Sequence, residues 1–185
     1  MSVTTLLYHS VNDRPDLVAG GAALPVAQFN QHMEFISRCK RKPFTLASSL
    51  DFGATGIAIT FDDGDADTFE TALPILQKFD IPATVFVSSS LIDTVWTDNG
   101  MTRRMLSRTQ LKALAASPLI EIGSHAHLHK PMTQRSKSEL MHDLRVSKQI
   151  LEEVTGKPVR FLAYPHGLHN KDVIDAALNV GFQAG

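Results

Sequence analysis

The sequence has little of what usually assigns a class at sight. It holds one cysteine, Cys39, so no disulfide can form within the chain. The setting of that residue, "FNQHMEFISRCKRK", is that of a half-buried helical thiol rather than a nucleophile. Neither sign of charge is in surplus, with 18 Lys and Arg against 19 Asp and Glu. That balance excludes a bulk attraction to nucleic acid or to an anionic membrane and leaves a neutral or locally charged ligand. No apolar run approaches the roughly 18 residues of a membrane span. The opening "MSVTTLLYHS" also lacks the basic start and long apolar stretch of a secretory leader. The expected address, as written, is cytoplasmic; it becomes periplasmic or secreted if a leader has been removed. There is no internal repeat and no linker-like stretch, and 185 residues suit one domain over 1–185 with a sizeable core.

What is present is an alternation. "VTTLLY", "GIAITF", "IPATVFV", "LIEIG" and "VRFLAY" read as strands, with "GFQAG" as a sixth. Most are apolar on both faces. Between them run helical stripes, Phe29, Met33 and Ile36 in one, Leu140, Leu144, Leu151 and Val154 in another. Ser107 with Gln110 and Ser136 with Glu139 have capping-box spacing, and Gly156 and Gly181 stand where a left-handed residue ends a helix. Pro74 predicts a kink or a fresh start after "DADTFETAL". "RPDLVAGGAALP" reads as a flexible loop, and "VWTDNGMTRRML" as an excursion between strand and helix. Strands buried on both faces and separated by helices imply a parallel α/β sheet, either open and doubly wound or closed as a (β/α) barrel.

In such folds ligands bind at the carboxyl ends of the strands, so the residues after each apolar run carry the chemistry. His9 follows the first run, Asp62, Asp63 and Gly64 the second, "HAHLHK" the fourth and His166 the fifth. "FDDG" can be an ordinary polar turn, with Gly64 supplying positive φ. Two adjacent aspartates repel when ionised, however, and a cation, or a division into one ligand and one base, relieves that. "HAHLHK" gathers three of the eight histidines within five residues, where a solvated loop is the plainer reading. If extended, it puts His125, His127 and His129 on one face, like a three-histidine zinc site. If coiled, His125 and His129 come within about 6 Å at Cβ and need a third ligand, which Asp62 or Asp63 provides if the two strand ends are neighbours. The His-x-His-x-Asp-His pattern of metallo-β-lactamases fails, because His129 and Lys130 fill its last two places.

Taken together and in this order, "LLYHSVND", "AITFDDGDAD", "ALPILQKFDIPATVFV", "IEIGSHAHLHKPM", "FLAYPHG" and "GFQAG" resemble the polysaccharide deacetylases of carbohydrate esterase family 4. The resemblance covers almost the whole chain, and "TFDDG" followed by His-x-x-x-His is its most specific part. It implies a distorted (β/α) barrel and a divalent metal, usually zinc with cobalt or another ion as substitute. The implied ligands are Asp63, His125 and His129, with His127 a bystander and Asp62 the base. It further implies a main-chain oxyanion donor at His166, a sugar groove shaped by Tyr164 and Pro165, and His9 at the rim or closing the first strand end.

Three departures from the family pattern stand out. Ala126 replaces the usual Ser or Thr after the first ligand histidine, which removes a hydrogen bond expected to steady the loop. Ala163 stands where the family often carries an arginine that orients the catalytic aspartate. The family's later Leu-x-His, its general acid, has no match after "GFQAG"; this implies a barrel incomplete at its carboxyl end, with His166 or His9 as substitute. Exposed parallel edges would then favour a homo-oligomer. The function expected is metal-dependent removal of acetyl groups from N-acetylated sugar polymers or oligosaccharides, with O-acetylated ones the lesser case. The alternatives are a cyclic amide or ureide hydrolase of the same fold and a degenerate carbohydrate-binding member without turnover.

Overall fold

The computed structural model describes residues 3–48, 55–98 and 100–184. Its strands, in chain order, are β1 (Val3–Tyr8), β2 (Ser10–Val11), β3 (Ala23–Leu24), β4 (Pro43–Phe44), β5 (Gly56–Phe61), β6 (Ala83–Val87), β7 (Val95–Asp98), β8 (Met101–Arg104) and β9 (Ile120–Ser124). The helices are α1 (Pro15–Ala19), α2 (Val26–Ser37), α3 (Leu73–Phe79), α4 (Arg108–Ala116), α5 (Lys137–Thr155) and α6 (Lys171–Val180). Four apolar runs form one parallel sheet in the order β1-β5-β6-β9, with β4 paired beside the start of β5. Two parallel bridges, Ser124 with Leu162 and Phe161 with Ala184, carry that order further. "VRFLAY" and "GFQAG" are thus reduced to bridging pairs; Pro165 and its tight turn close the first run early, and Gly185 of the second lies outside the described residues. Parallel strands with helical crossovers are the α/β architecture the alternation implied.

β5 and β6 are buried along their whole length, as strands covered on both faces must be. β1 departs from that expectation: it pairs with β5 on one side and leaves Leu7 54% exposed. The helices pack as their stripes predict, with Phe29, Met33 and Ile36 of α2 and Leu140, Leu144, Leu151 and Val154 of α5 in the core. Both capping boxes form, and Gly156 and Gly181 adopt left-handed conformations at the ends of α5 and α6. Pro74 sits in the first turn of α3, where its missing N–H costs nothing, and a π-helical turn over Thr68–Ala72 precedes it. The helix begins again there rather than kinking. Cys39 lies just past the end of α2, half-buried and free.

Two segments depart from the sequence reading. "RPDLVAGGAALP" is not a flexible loop: Pro15 starts α1, Leu17 is buried, and Ala23 and Leu24 pair with Ser10 and Val11. "VWTDNGMTRRML" is an antiparallel hairpin of β7 and β8 turning at Gly100 with φ +76°; Asn99 lies outside the described residues. Among the described residues no helix is long and apolar enough to cross a membrane.

Candidate metal centre and active site

The end of β5 separates two consecutive carboxylates. Asp63 has φ +71° and Gly64 φ +91°, a left-handed step that sends Asp63 inward while Asp62 stays half-buried. Glycine is required at the second position, since a Cβ there would stand 3.0 Å from Val87 Cγ1. Ser88 N donates to Asp63 O at 3.2 Å and Leu106 N to Gly64 O at 2.9 Å, which fixes the turn against β6 and the hairpin.

"HAHLHK" is neither extended nor helical. Positive φ at Ala126 (60°) and His129 (50°) breaks the alternation needed for a three-histidine face. His127 instead turns its ring to Ser89 Oγ, 2.8 Å away, while its N–H donates to Asp143 Oδ2 at 2.7 Å. His125 and His129 remain, with ring centroids 5.0 Å apart. Asp63 Oδ1 lies 3.4 Å from His125 Nε2 and 3.0 Å from His129 Nε2. One donor atom from each of these three residues falls within 4.8 Å of the others. The strand ends are not neighbours, contrary to the coiled reading: β6 lies between β5 and β9, and the loops reach across its end.

Two imidazoles and one carboxylate are a donor set suited to zinc and related divalent ions. The orientation of His125 fits as well. Its Nδ1 lies 3.0 Å from the Ala163 carbonyl, which can only accept, so Nδ1 carries the proton. A neutral His125 then presents the Nε2 lone pair to Asp63 Oδ1, and two acceptors that face each other need a proton or a cation between them. Holding a ligand histidine by its far nitrogen is the usual support of a metal site.

Burial acts to raise the Asp63 carboxyl, but the His125 and His129 rings and the Arg103 guanidinium around it outweigh that and hold the group far below the usual carboxylate range. Asp62 goes the other way. Burial pushes it up, opposed by the nearby His125 and His9. The surroundings thus shift the two adjacent carboxyls in opposite directions. Asp65, deeper still, is pushed by burial up to about 8 despite Arg103 beside it.

A cavity of about 490 Å³ opens over these groups, and Asp62, Asp63, His125, His129, His9, Tyr164 and His166 all line it. His166 has φ +59°, and its ring centroid lies 4.9 Å from that of His129. Tyr164 is half-buried and stacks on His169 at 4.9 Å, and Pro165 is buried beneath the turn. The site residues read from the sequence therefore converge, except that Pro165 lies under the cavity and His127 faces away from it.

The loop is not unsteadied by Ala126. Its N–H donates to Ser124 Oγ, and its carbonyl accepts from Ser147 Oγ and Ser89 N. The sequence reading missed Arg103, Trp96, Asp143 and Ser147. Arg103 donates to Asp63 Oδ2 at 2.8 Å and to Asp65 Oδ2 at 2.6 Å. Asp143 also accepts from Leu128 N and from Arg135. A signal existed for two of them: Asp143 and Ser147 fall on the apolar stripe of α5, where a polar side chain must have a buried partner.

The chain is similar to several known proteins. A poly-beta-1,6-N-acetyl-D-glucosamine N-deacetylase of Staphylococcus aureus is 30% identical over 173 residues, which include 86% of this chain. The chain spans about 59% of that relative's length. The structure of IcaB from Ammonifex degensii superposes with a TM-score of 0.84 at 24% identity, covering 98% of this chain and 81% of that one. The Streptococcus pyogenes deacetylase PplD, solved with acetate, superposes at 0.86 with 20% identity, covering 100% of this chain and 83% of that one. These superpositions give the fold as that of the (β/α) barrel-type deacetylases. The profile of the polysaccharide deacetylase family matches residues 50–185, from just before β5 through the histidine loop to the end, and with that match the chain belongs to the polysaccharide deacetylase family.

Proposed function

We propose that the chain carries the active site of a metal-dependent N-deacetylase that removes acetyl groups from polymers or oligomers of N-acetylglucosamine. The observation that supports this reading best is the convergence of Asp63, His125 and His129 on one point, with the less acidic Asp62 beside them facing the same cavity. Asp63, His125 and His129 would hold a divalent ion such as zinc or cobalt, which would supply Lewis acidity toward an acetyl carbonyl and a water. Asp62 takes the proton of that water; burial raises its carboxyl, which makes it the more basic of the two aspartates. Main-chain N–H at His166 is the candidate donor to the developing oxyanion. Trp96 and Tyr164 both line the cavity and give it aromatic surface against which a sugar can pack. The leaving amine needs a proton, for which His9 and His166 are the cavity-lining imidazoles outside the proposed ligand set.

The test is acetate release from N-acetylglucosamine oligomers. Release should stop on chelation and return with zinc or cobalt. Asp62→Asn should lower it by roughly 100- to 10,000-fold while metal content holds. His125→Ala should lose the metal itself. Full activity in Asp62→Asn would remove the base assignment, and equal zinc in both variants would remove the ligand set.

Ala163, in place of the family's arginine, favours a second reading, a carbohydrate-binding member without turnover. Among the described residues no side chain donates a hydrogen bond to the Asp62 carboxylate. Binding of the oligomers in calorimetry with no acetate released, metal included, would install that reading instead.

A further inference from the structure

The hairpin of β7 and β8 lies outside the histidine and aspartate motifs, yet it delivers two side chains to the ligands. Trp96 and Arg103 are directly opposite each other in its register. The Arg103 guanidinium is 7% exposed and forks, one nitrogen donating to Asp63 Oδ2 and another to Asp65 Oδ2. Its carbon lies over the Trp96 ring, 4.6 Å from the centroid, and the same indole meets the His129 ring edge to face, also at 4.6 Å. Two of the three candidate ligands are thus touched by one cross-strand pair.

We propose that Arg103, clamped by Trp96 and Asp65, is a positioning residue for the metal site: it occupies Asp63 Oδ2, so that Asp63 offers a single oxygen, Oδ1, to the centre. The inference rests on the proposed metal site and deepens it. A carboxylate on a short side chain can rotate and present both oxygens to a cation. Here rotation is opposed from two sides. The guanidinium is planar, and each of its two arms is committed to a different buried carboxylate. Its face is stacked on an indole and cannot swing away without exposing both acids. Asp65 therefore anchors the arginine rather than the cation: its Oδ2 faces Arg103 at 2.6 Å, and it is not among the residues whose donor atoms converge. A lysine, a point charge with no fork, could not hold both acids in this way. Trp96 extends the same support to His129 by its ring contact.

The experiment is a metal titration of the full chain and variants. Cobalt absorption reports coordination, competition with a chromophoric chelator reports zinc affinity, and circular dichroism with a thermal transition reports folding. Arg103→Met alone strands two buried acids and can fail to fold, so the deciding variant is Arg103→Met with Asp65→Asn, which removes the guanidinium together with the acid that anchors it. The folded double variant should bind zinc about 10- to 100-fold more weakly, the range of outer ligand supports. Its cobalt bands should weaken and shift as Asp63 supplies its second oxygen. Zinc affinity within twofold of wild type, with an unchanged cobalt spectrum, would overturn the positioning role and leave the metal site standing. No cobalt bound by the wild type would overturn the metal site, and the positioning role with it; loss of binding in His125→Ala alone would uphold the site.

Discussion

The two strand ends that build the centre are held by different physics. At the end of β5, Asp63 is fixed by charge, with Arg103 reaching it from a hairpin about forty positions further along the chain. At the end of β9, the histidine loop is tied by hydrogen bonds from the adjacent helix α5: Asp143 accepts from His127 N and Leu128 N, and Ser147 donates to the Ala126 carbonyl. The difference follows from what each end must expose. Asp63 brings a buried charge and needs a counter-charge, because a lone carboxylate out of water is costly. The histidine loop has irregular backbone, and its buried N–H and C=O groups need partners that a sheet no longer supplies. One end is thus sensitive to loss of charge and the other to loss of acceptors and donors.

Predictions that probe this contrast run from large to small. Asp143→Ala should be the most damaging of them, at about 3 kcal/mol, because it strands two loop N–H groups and the Arg135 guanidinium together. Urea unfolding would measure it, and a cost below about 1 kcal/mol would mean that the loop finds other partners. Gly64→Ala probes the β5 end by geometry alone. Positive φ and the close Val87 methyl should together cost about 2 kcal/mol in the same assay. A neutral outcome would mean that the turn relaxes and that Asp63 is not held by it. Ser147→Ala removes a buried donor to Ala126 O and a partner of Ser124, for about 1 kcal/mol. It should also broaden the NMR signals of the His125 and His129 rings more than those of Tyr8 or His32, which lie away from the loop.

The smallest effect concerns the start of α5, which carries Asp143. Hydrogen bonds from the Ser136 side chain and backbone hold the Glu139 carboxyl below its ordinary 4.5. A depressed carboxylate stabilises the fold above its unfolded value, and that contribution is lost as pH falls through the lower folded value. Stability measured by denaturant titration should therefore decline below pH 4.5, and Glu139→Gln should flatten that part of the decline. An identical pH profile in the variant would detach the capping box from the support of the loop.

Much of this architecture could be read along the chain, for local reasons. The capping boxes at Ser107 and Ser136, the left-handed glycines at 156 and 181 and the apolar stripes of α2 and α5 are set by neighbours a few positions away. The restart at Pro74 is of the same kind. Asp63, His125 and His129 were accessible because strand ends in parallel α/β folds face one edge and because "TFDDG" and His-x-x-x-His resemble a family pattern. The errors were also physical. "RPDLVAGGAALP" looked free because its glycines and proline were weighed above Leu17, whose burial ties the segment down. The last two strands were read too long because apolar composition says nothing of how many ladder bonds a run will find.

Arg103 shows where reading along the chain ends. It stands next to Arg104 in "MTRRML", two identical side chains that nothing local distinguishes. The hairpin register turns one inward onto Asp63 and Asp65, buried, and the other outward to Glu70, largely exposed. A slip of one residue would exchange them, since successive side chains of a strand point to opposite faces. The sequence by itself determined the ends of the capped helices and the alternation of strand and helix, and the family resemblance named the three residues that converge. Only the tertiary structure decided which arginine serves the centre, which carboxylate closes the histidine loop and which strand lies between the two halves of the site. Those choices depend on pairings between segments far apart in the chain, and their energies exist only once the segments meet.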